Sequence, residues 1–564
     1  MYKKFYLLMA ILVIASMVLA ACGGTATTEA PVTEEAPVTE EAPVTEEAPV
    51  ATEEAPVATE EAPAATEEVP AVTVARYPKI TIALTQDPGD LLPWAVNLGA
   101  KPYIYQNFYE YLFDLEGNEY VPVLASGYTV IDDLHYQVHL YDYIYDSAGN
   151  HITADDVIFS TQKLIEVGFN FKWYMFGDIQ KVDDYTVEYT WTKPITDVGE
   201  LEFPWCRTVI FSQAAFESGN FATEPVGTGP YVVTEFTSGS KVVLEANDNY
   251  WQTDASLISL RHQSNVQTIE YDIIAESSQH VIALETGAID YSEAVPAENL
   301  IEFQEGGQYA DQFNTEVASG SFVYALNLNQ SEGHAGADLN FRLAVYYAID
   351  NEAIATALHD TIMPARAFGT PHFPDYLAAW DETPNYMNTF DPALAAEYLE
   401  QTTYNGETLI LATMQGEAAE TMATVIQAFL LNIGITTQIN ILDQAAGATV
   451  DTDPTAYDIK IFGMGGGSLI GEWNRVMNNH ELGADYSVGF VRDPELQRLF
   501  EVANAIDTHT PENMTALQNY VQAQGYFYAI GSPRINMVYT TNIATVFLRE
   551  SEFILPGACT YILP

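Results

Sequence analysis

Lysine and arginine are scarce in this chain. Its 564 residues include 20 of them against 78 aspartates and glutamates, which gives a formal net charge of −58 at pH 7. The region from Arg76 onward carries −47 of that charge, so the folded part is itself acidic. Nucleic-acid binding needs a basic surface, and an acidic surface repels anionic lipid headgroups. The composition therefore excludes nucleic acid as a partner, and we attribute the charge to solubility.

Cysteine is rarer still, with Cys22, Cys206 and Cys559 the only three. Three cysteines allow no more than one disulfide within the chain. If Cys22 is used by the export signal described next, the other two either pair in a protein that folds outside the reducing cytoplasm or remain two buried thiols. The sequence leaves both possibilities open.

Long apolar runs are also rare, and the one that stands out lies at the N-terminus. Residues 5–18 are apolar, after two lysines and before Leu19-Ala20-Ala21-Cys22. These 14 residues are too few to cross a bilayer, which takes about 20. The pattern predicts a signal peptide over residues 1–22. Its resemblance to bacterial lipoproteins implies cleavage before Cys22, a diacylglyceryl group on that thiol, and anchoring to the outer face of the cytoplasmic membrane.

Residues 23–75 repeat a short unit, Ala-Pro-Val-Thr-Glu-Glu, and have no aromatic side chain. Such a segment buries no core, and its prolines and like charges favour an extended chain. We predict a disordered tether that spans up to about 170 Å when stretched and holds the folded part away from the membrane.

Motifs of catalysis and metal binding are missing as well. The sequence has no Gly-x-Ser-x-Gly elbow and no His-Glu-x-x-His helix. His135 and His139 share one face of a predicted strand, where we expect them to face solvent. Asp451 and Asp453 begin like a calcium loop, but Pro454 follows and the rest of the motif is missing. We predict neither a cofactor nor a metal, and an exported hydrolase with an unrecognised site remains the alternative function.

From Arg76 onward, strand and helix patterns alternate, which predicts an α/β fold. The nearly 490 residues of this region exceed what one core usually serves, so we expect at least two lobes. The patterns predict strands over Tyr77–Leu84, Leu134–Leu140 and Ile435–Leu442, helices after Thr153, Asp391 and Asp493, and a helix with Met422, Val425, Ile426, Phe429, Leu430 and Ile433 on its apolar face.

Five segments along the chain form a recognisable set. They are Val121–Ala125 with Ile152–Ser160, Val226–Tyr231 with Asn247 and Tyr250-Trp251, Leu284–Asp290, Asp338–Asp350, and Tyr457–Ile459 with Asp493–Leu496. Together they resemble the family 5 extracellular solute-binding proteins of ABC importers, whose members include receptors for peptides, nickel chelates and some oligosaccharides. The resemblance covers nearly all of the chain from Arg76 onward.

The resemblance implies a monomeric receptor that is not an enzyme. We expect an α/β clamshell of the periplasmic-binding-protein type, in its large class with an inserted subdomain. Residues 76–320 and 530–564 would form lobe I and residues 321–529 lobe II. A small solute, either an oligopeptide or an oligosaccharide, would be captured by closure of the cleft and delivered to a membrane permease. A disulfide between Cys206 and Cys559 would then staple both ends of the discontinuous lobe.

The resemblance also suggests ligand-binding residues. Peptide-binding relatives hold the peptide's α-amino group with an aspartate at the place of Gly467, so this chain lacks that anchor. Glycine instead lets a ligand approach the backbone closely. Trp473 and Tyr486 are included because aromatic side chains can stack on the face of a sugar ring. Their presence favours a carbohydrate as the ligand. The predicted site comprises Asn97, Gly99, Tyr103, Met464, Gly465, Gly466, Gly467, Trp473 and Tyr486.

Four further residues are predicted to serve the scaffold. Gly227 and Gly229 would form a tight turn before a strand. Arg342 would pair with a carboxylate at the start of its helix. Phe322, beside the first lobe crossing, is expected either to pack there or to contact ligand.

Overall fold

Strands and helices occupy most of the described chain. The computed structural model describes residues 76–94, 104–116, 119–167, 175–197, 200–373, 375–465, 468–479 and 485–543. All of them belong to one unit, Thr73–Pro564. The signal peptide, the tether and the predicted positions Cys22, Asn97, Gly99, Tyr103, Gly466, Gly467 and Cys559 lie outside the described residues.

The elements are numbered in chain order. The strands are β1 Tyr77–Leu84, β2 Phe113–Glu116, β3 Glu119–Pro122, β4 Ala125–Asp132, β5 His135–Leu140, β6 Phe176–Asp183, β7 Thr186–Trp191, β8 Tyr231–Thr237, β9 Lys241–Ala246, β10 Val266–Ile273, β11 Tyr291–Ser292, β12 Phe313–Ser319, β13 Phe322–Leu328, β14 Ile362–Pro364, β15 Leu409–Met414, β16 Thr437–Leu442, β17 Ile459–Gly465 and β18 Phe527–Thr540. The helices are α1 Ala154–Glu166, α2 Glu202–Cys206, α3 Gln213–Ser218, α4 Ser277–Glu285, α5 Leu339–Tyr347, α6 Asn351–Ala357, α7 Ala379–Glu382, α8 Pro392–Leu399, α9 Glu417–Asn432, α10 Gln444–Thr449, α11 Leu469–Met477, α12 Pro494–Asn504 and α13 Pro511–Gln524.

One mixed sheet of 12 strands runs through the structure. Its order is β16-β15-β17-β13-β18-β11-β1-β10-β9-β8, and β12 and β14 also pair with β18. Pairing is parallel for β1 with β10 and β11 and for β15 with β16 and β17, and antiparallel elsewhere. We call β1 and β8 to β12 the first half-sheet, and β13 to β17 the second half-sheet. Helices flank both, so the predicted α/β fold with mixed sheets is confirmed.

The 14-residue strand β18 belongs to both half-sheets. Its residues 527–531 pair with β13, and its residues 534–540 pair with β12. The chain also passes from one half-sheet to the other between β12 and β13, where the Gly320 amide donates to the Pro533 carbonyl oxygen over 2.8 Å. We call this double crossing the hinge. The lobe limits at residues 320 and 529 stay a prediction.

A separate antiparallel sheet, β4-β5-β7-β6, packs against α1. In β5 the side chains of Tyr136, Val138 and Leu140 are buried while His135 and His139 are partly exposed, as predicted. Cys206 is buried in the core beneath this sheet. Its pairing with Cys559 stays a prediction.

Local capping signals in the sequence are confirmed. The Thr153 amide donates to the Asp156 carboxylate over 2.9 Å at the start of α1. Asp391 accepts two amides at the start of α8, and Asp493 accepts one at the start of α12. Helix α9 buries Met422, Ala423, Ile426 and Leu430, much as the apolar pattern predicts.

Two scaffold predictions need correction. Gly227 and Gly229 do not adopt positive φ. A Cβ on Gly227 would lie 1.9 Å from the Phe108 carbonyl oxygen, so these glycines are needed because another backbone passes against them. Within the described residues Arg342 has no ion pair within 4.0 Å, although the charge of Asp338 at the start of its helix acts on it. Its buried guanidinium donates to backbone carbonyls, among them that of Gln524 over 2.8 Å, and so joins α5 to the end of α13.

Candidate functional site

The start of β13 and the end of β17 lie at the hinge, and side chains there are partly exposed to solvent. Phe322 pairs with Gly465, and Tyr324 with Gly463. The Phe322 side chain is 36% exposed, and its ring lies directly over Gly463, where a Cβ would meet its Cζ atom at 1.9 Å. The rings of Phe322 and Tyr324 meet edge to face with centroids 5.0 Å apart. We call these four residues the hinge platform, an aromatic surface made possible by glycine on the neighbouring strand.

The predicted Gly-rich loop begins where β17 ends. Met464 is buried in the core of the second half-sheet, so its side chain does not face a ligand here. Gly465 is half-buried, and its carbonyl oxygen accepts from Nη1 of Arg475 over 3.1 Å. Ser468 caps α11 by accepting the Gly471 amide. Of the described loop residues predicted to bind ligand, Gly465 is thus the one that belongs to the hinge platform.

The N-terminus of α11 is already occupied by a protein carboxylate. Asp375 accepts the amides of Leu469 and Ile470 over 3.1 and 3.2 Å. Burial raises the pKa of Asp375, while the two amides and His509 oppose that change. Amides and positive dipole at a helix start ordinarily attract an anion. Because Asp375 fills that place, this helix end is not open to an anionic ligand.

The two predicted aromatic residues lie apart from the platform. Trp473 is fully buried, with its ring stacked on those of Trp380 and Phe368 at 5.8 and 6.5 Å between centroids. No face of its indole is left for a ligand in this structure. Tyr486 belongs to a different cluster, where it packs on Phe490 and under the Arg492 guanidinium. The structure therefore brings Trp473 and Met464 into one core and does not place Tyr486 with them.

We call the described chain before Gly320, together with the end of β18, the first half, and the described chain from Ser321 to Gly531 the second half. The two halves also touch away from the hinge. After β7, Asp197 forms a β-bridge with Ala505, which follows α12. The Ile506 amide donates to the Thr196 carbonyl oxygen over 3.0 Å. We call these four residues the clasp. Sequence reasoning missed it because its contacts are made by backbone atoms, which leave no signature in residue type.

Acidic groups surround the clasp. Glu200 accepts the amides of Thr196 and Asp197 and pairs with Lys193 at 3.1 Å. Burial raises the pKa of Asp197, and the charges of Glu200 and Glu501 raise it further, whereas Lys193 lowers it. The contact between the halves therefore brings like charges together.

Within the described ranges, no cluster of three or more His, Cys, Asp or Glu side chains is arranged to hold a metal ion. The same part of the chain contains no helix with the length and apolarity needed to cross a bilayer.

The chain also matches a known family. Residues 119–482 fit the model of the bacterial extracellular solute-binding proteins, family 5, Middle. This match covers more than half of the sequence. The chain belongs to that family. Family membership confirms the predicted class of function, the substrate-binding receptor of an ABC importer. It agrees with the prediction that the protein is not an enzyme, and it gives no support to the hydrolase alternative.

Individual family 5 proteins are similar over most of their length. The glutathione-binding protein GsiB of Pectobacterium atrosepticum is 24% identical over 438 residues, 74% of this chain and 80% of that protein. HbpA2 of Haemophilus parasuis has the same fold, with a TM-score of 0.72 at 18% identity over 86% of this chain and 100% of its own. DppA of Helicobacter pylori, solved with the peptide STSA, gives 0.63 at 18% identity over 86% and 98%. The predicted clamshell family is confirmed by these structures.

Proposed function

We propose that this family 5 receptor captures short peptides at the hinge platform and delivers them to its permease. The observation that carries the proposal is the exposed Phe322 ring seated over Gly463, where the two half-sheets meet. An apolar surface beside accessible backbone suits a peptide, which offers both side chains and amides. GsiB is named for glutathione, itself a peptide, and DppA was solved with one, which adds support.

A carbohydrate is the second candidate, and the structure weakens it. Its support in the sequence was stacking by Trp473 and Tyr486. Trp473 is buried in the core, and the Arg492 guanidinium lies 4.9 Å from the ring centroid of Tyr486. Phe322 remains as an aromatic ring with exposed surface at the hinge. We therefore favour peptide over sugar.

Binding would work by a shift of population between open and closed forms. A solute favours closure only through contacts that it gains with both halves. The hinge allows such movement because two narrow segments cross it, one between β12 and β13 and the other within β18. The clasp adds contacts between the halves that the closed form keeps and an open form loses.

Anchoring completes the proposal. Cleavage before Cys22 would leave a lipid-modified N-terminus on the outer face of the cytoplasmic membrane, with residues 23–75 as the tether. The basic tip, short apolar run and Leu-Ala-Ala-Cys exit support it. Mass spectrometry of the protein purified from membranes checks this directly. A Cys22→Ser variant should lose the lipid mass and partition into the aqueous phase, and a wild-type chain without lipid would contradict the anchor.

Ligand-dependent unfolding tests the solute class. A ligand that binds only the folded form raises its stability, by about 2.7 kcal/mol at 100 times Kd. We expect a panel of di- and tripeptides to raise the unfolding midpoint, and oligosaccharides to leave it unchanged. A shift with oligosaccharides alone would refute the peptide proposal.

The hinge platform is tested by substitution. Phe322→Ala should weaken peptide binding because it removes the exposed ring. Phe390→Ala is the matched control, since Phe390 is 46% exposed but packs on Phe429 in the second half. Equal affinities for the wild type and the Phe322 variant, measured by calorimetry, would remove the platform from the site.

A further inference from the structure

Most of the described lysines and arginines of this acidic chain are paired. In the described ranges, twelve lysines and arginines lie within 4.0 Å of a carboxylate oxygen. Three arginines of the same ranges do not: Arg342, Arg475 and Arg534. With 78 acidic residues against 20 basic ones, an arginine without a carboxylate partner is an exception that needs a reason.

Two of these exceptions have structural roles. Arg342 is buried and donates to the carbonyl groups that end α13. Arg534 is half-buried on β18 and donates from Nε to the Asn536 side chain over 2.9 Å. Arg475 differs from both because it is exposed and, among the described residues, its side chain makes one hydrogen bond, to the Gly465 carbonyl oxygen.

The position of Arg475 on α11 does not favour pairing with a neighbour on the same helix. Glu472, three residues earlier, is fully buried and turned into the core. On α12, by contrast, Arg498 pairs with Glu495 at the same spacing, over 2.6 Å. A guanidinium carries five N–H donors, and Arg475 uses one of them within the described residues.

The hydrogen bond to the Gly465 carbonyl oxygen fixes the position of the Arg475 guanidinium charge. Gly465 is the last residue of β17 and pairs with Phe322, so a guanidinium held on its carbonyl oxygen lies beside the hinge platform. The carboxylate of Asp375 already binds the amides of Leu469 and Ile470 at the start of the same helix. Arg475 therefore offers a ligand a positive charge that no carboxylate oxygen of the described residues approaches within 4.0 Å.

We propose that Arg475 binds a carboxylate of the solute, so that the receptor selects peptides by an acidic group. This inference rests on the proposed peptide-binding function. Arginine binds a carboxylate with two parallel hydrogen bonds, which fixes orientation as well as charge.

The chemistry allows two sources of the carboxylate, the C-terminus and an acidic side chain. Both would place the rest of the peptide toward Phe322. The net negative charge of the protein favours cationic over anionic solutes at long range, so a preference for acids must come from the local contact with Arg475.

The experiment uses two random tripeptide libraries, one with free C-termini and one amidated. The lipid-free full chain, carrying Cys22→Ser, is incubated with each, and retained peptides are identified by mass spectrometry. We expect free acids to be retained roughly 10-fold to 100-fold over neutral amides, as charge-assisted hydrogen bonds predict. Enrichment of Asp or Glu among retained amides would identify the side chain as the source.

Three variants complete the test. Arg475→Gln should abolish the preference for acids, and Arg475→Lys should keep part of it because the charge remains. Arg498→Gln, an exposed arginine on the neighbouring helix, should leave the preference unchanged. An unchanged unfolding midpoint for each variant shows that the fold is intact.

The outcomes separate the two proposals. Equal retention by the wild type of peptides that carry a carboxylate and of amidated peptides without Asp or Glu, or a preference that survives Arg475→Gln, overturns the role of Arg475 and leaves peptide binding intact. Retention of no peptide from either library overturns the peptide function and this inference with it.

Discussion

A disulfide across the clasp would test whether the two halves separate there during solute exchange. Asp197 and Ala505 form a β-bridge, and directly opposed residues of antiparallel strands have Cα atoms about 4.5 to 5.5 Å apart. Disulfides accept Cα separations of about 4.4 to 6.8 Å. A chain carrying Asp197→Cys and Ala505→Cys should therefore oxidise without a large shift of the backbone.

The expected stabilisation follows from the length of the loop that is closed. Because the two cysteines are 308 positions apart in the chain, the chain-entropy relation gives up to about 6 kcal/mol, from which native-state strain subtracts. The substitution also removes Asp197, whose charge lies near Glu200 and Glu501, so repulsion at the contact decreases. Both effects favour the form in which the halves touch.

The assay compares oxidised and reduced protein. Non-reducing electrophoresis reports the bond, denaturant titration reports stability, and release of retained peptide reports opening. We expect the oxidised protein to keep peptide that was bound before oxidation and to exclude peptide added afterwards. Reduction should restore exchange, and either single-cysteine variant should behave as wild type. Full oxidation with unchanged exchange would show that opening does not separate the clasp, and the reasoning would fail.

Two other predictions concern the scaffold. Gly227→Ala should lower the free energy of unfolding by about 3 kcal/mol or more, the upper end of the cost of overpacking, since the new Cβ would lie 1.9 Å from the Phe108 carbonyl oxygen. Gly239→Ala, at φ +72° with open space around it, should cost only about 1–2 kcal/mol in the same denaturant titration, and equal losses would contradict the packing argument. Burial lowers the pKa of His280, whose two ring nitrogens are hydrogen-bonded. The unfolded state then binds more protons, so this group's contribution to stability is present above about pH 6.5 and is lost as the pH falls toward the folded pKa. His280→Gln should reduce the slope of stability against pH in that window, and parallel curves would contradict it.

Local chemistry explains which parts of the fold were predictable. Asp391 and Asp493 cap helices because each accepts amides of its own first turn, and Thr153 begins α1 because its own amide donates to Asp156 three residues later. The apolar face of α9 follows from helical period alone. The family motifs add the global arrangement, which no local pattern contains.

The remaining features depend on contacts between distant residues. Residue type made Trp473 a plausible ligand-stacking side chain, but its burial is decided by Trp380 and Phe368, about a hundred positions away. Arg342 was expected to meet a carboxylate and instead meets the Gln524 carbonyl, 182 positions along the chain. The clasp offered no residue pattern at all, since backbone atoms form it.

Strand β18 has a further consequence for how the protein folds and can be divided. Its first residues complete one half-sheet and its last residues the other, so neither half has a full set of strands without it. A cut between residues 320 and 321 would leave the N-terminal fragment with an unpaired β12 edge. The two halves should therefore unfold as one cooperative unit, even though the proposed mechanism moves them as two bodies. Neither half is expected to fold when it is expressed without the other.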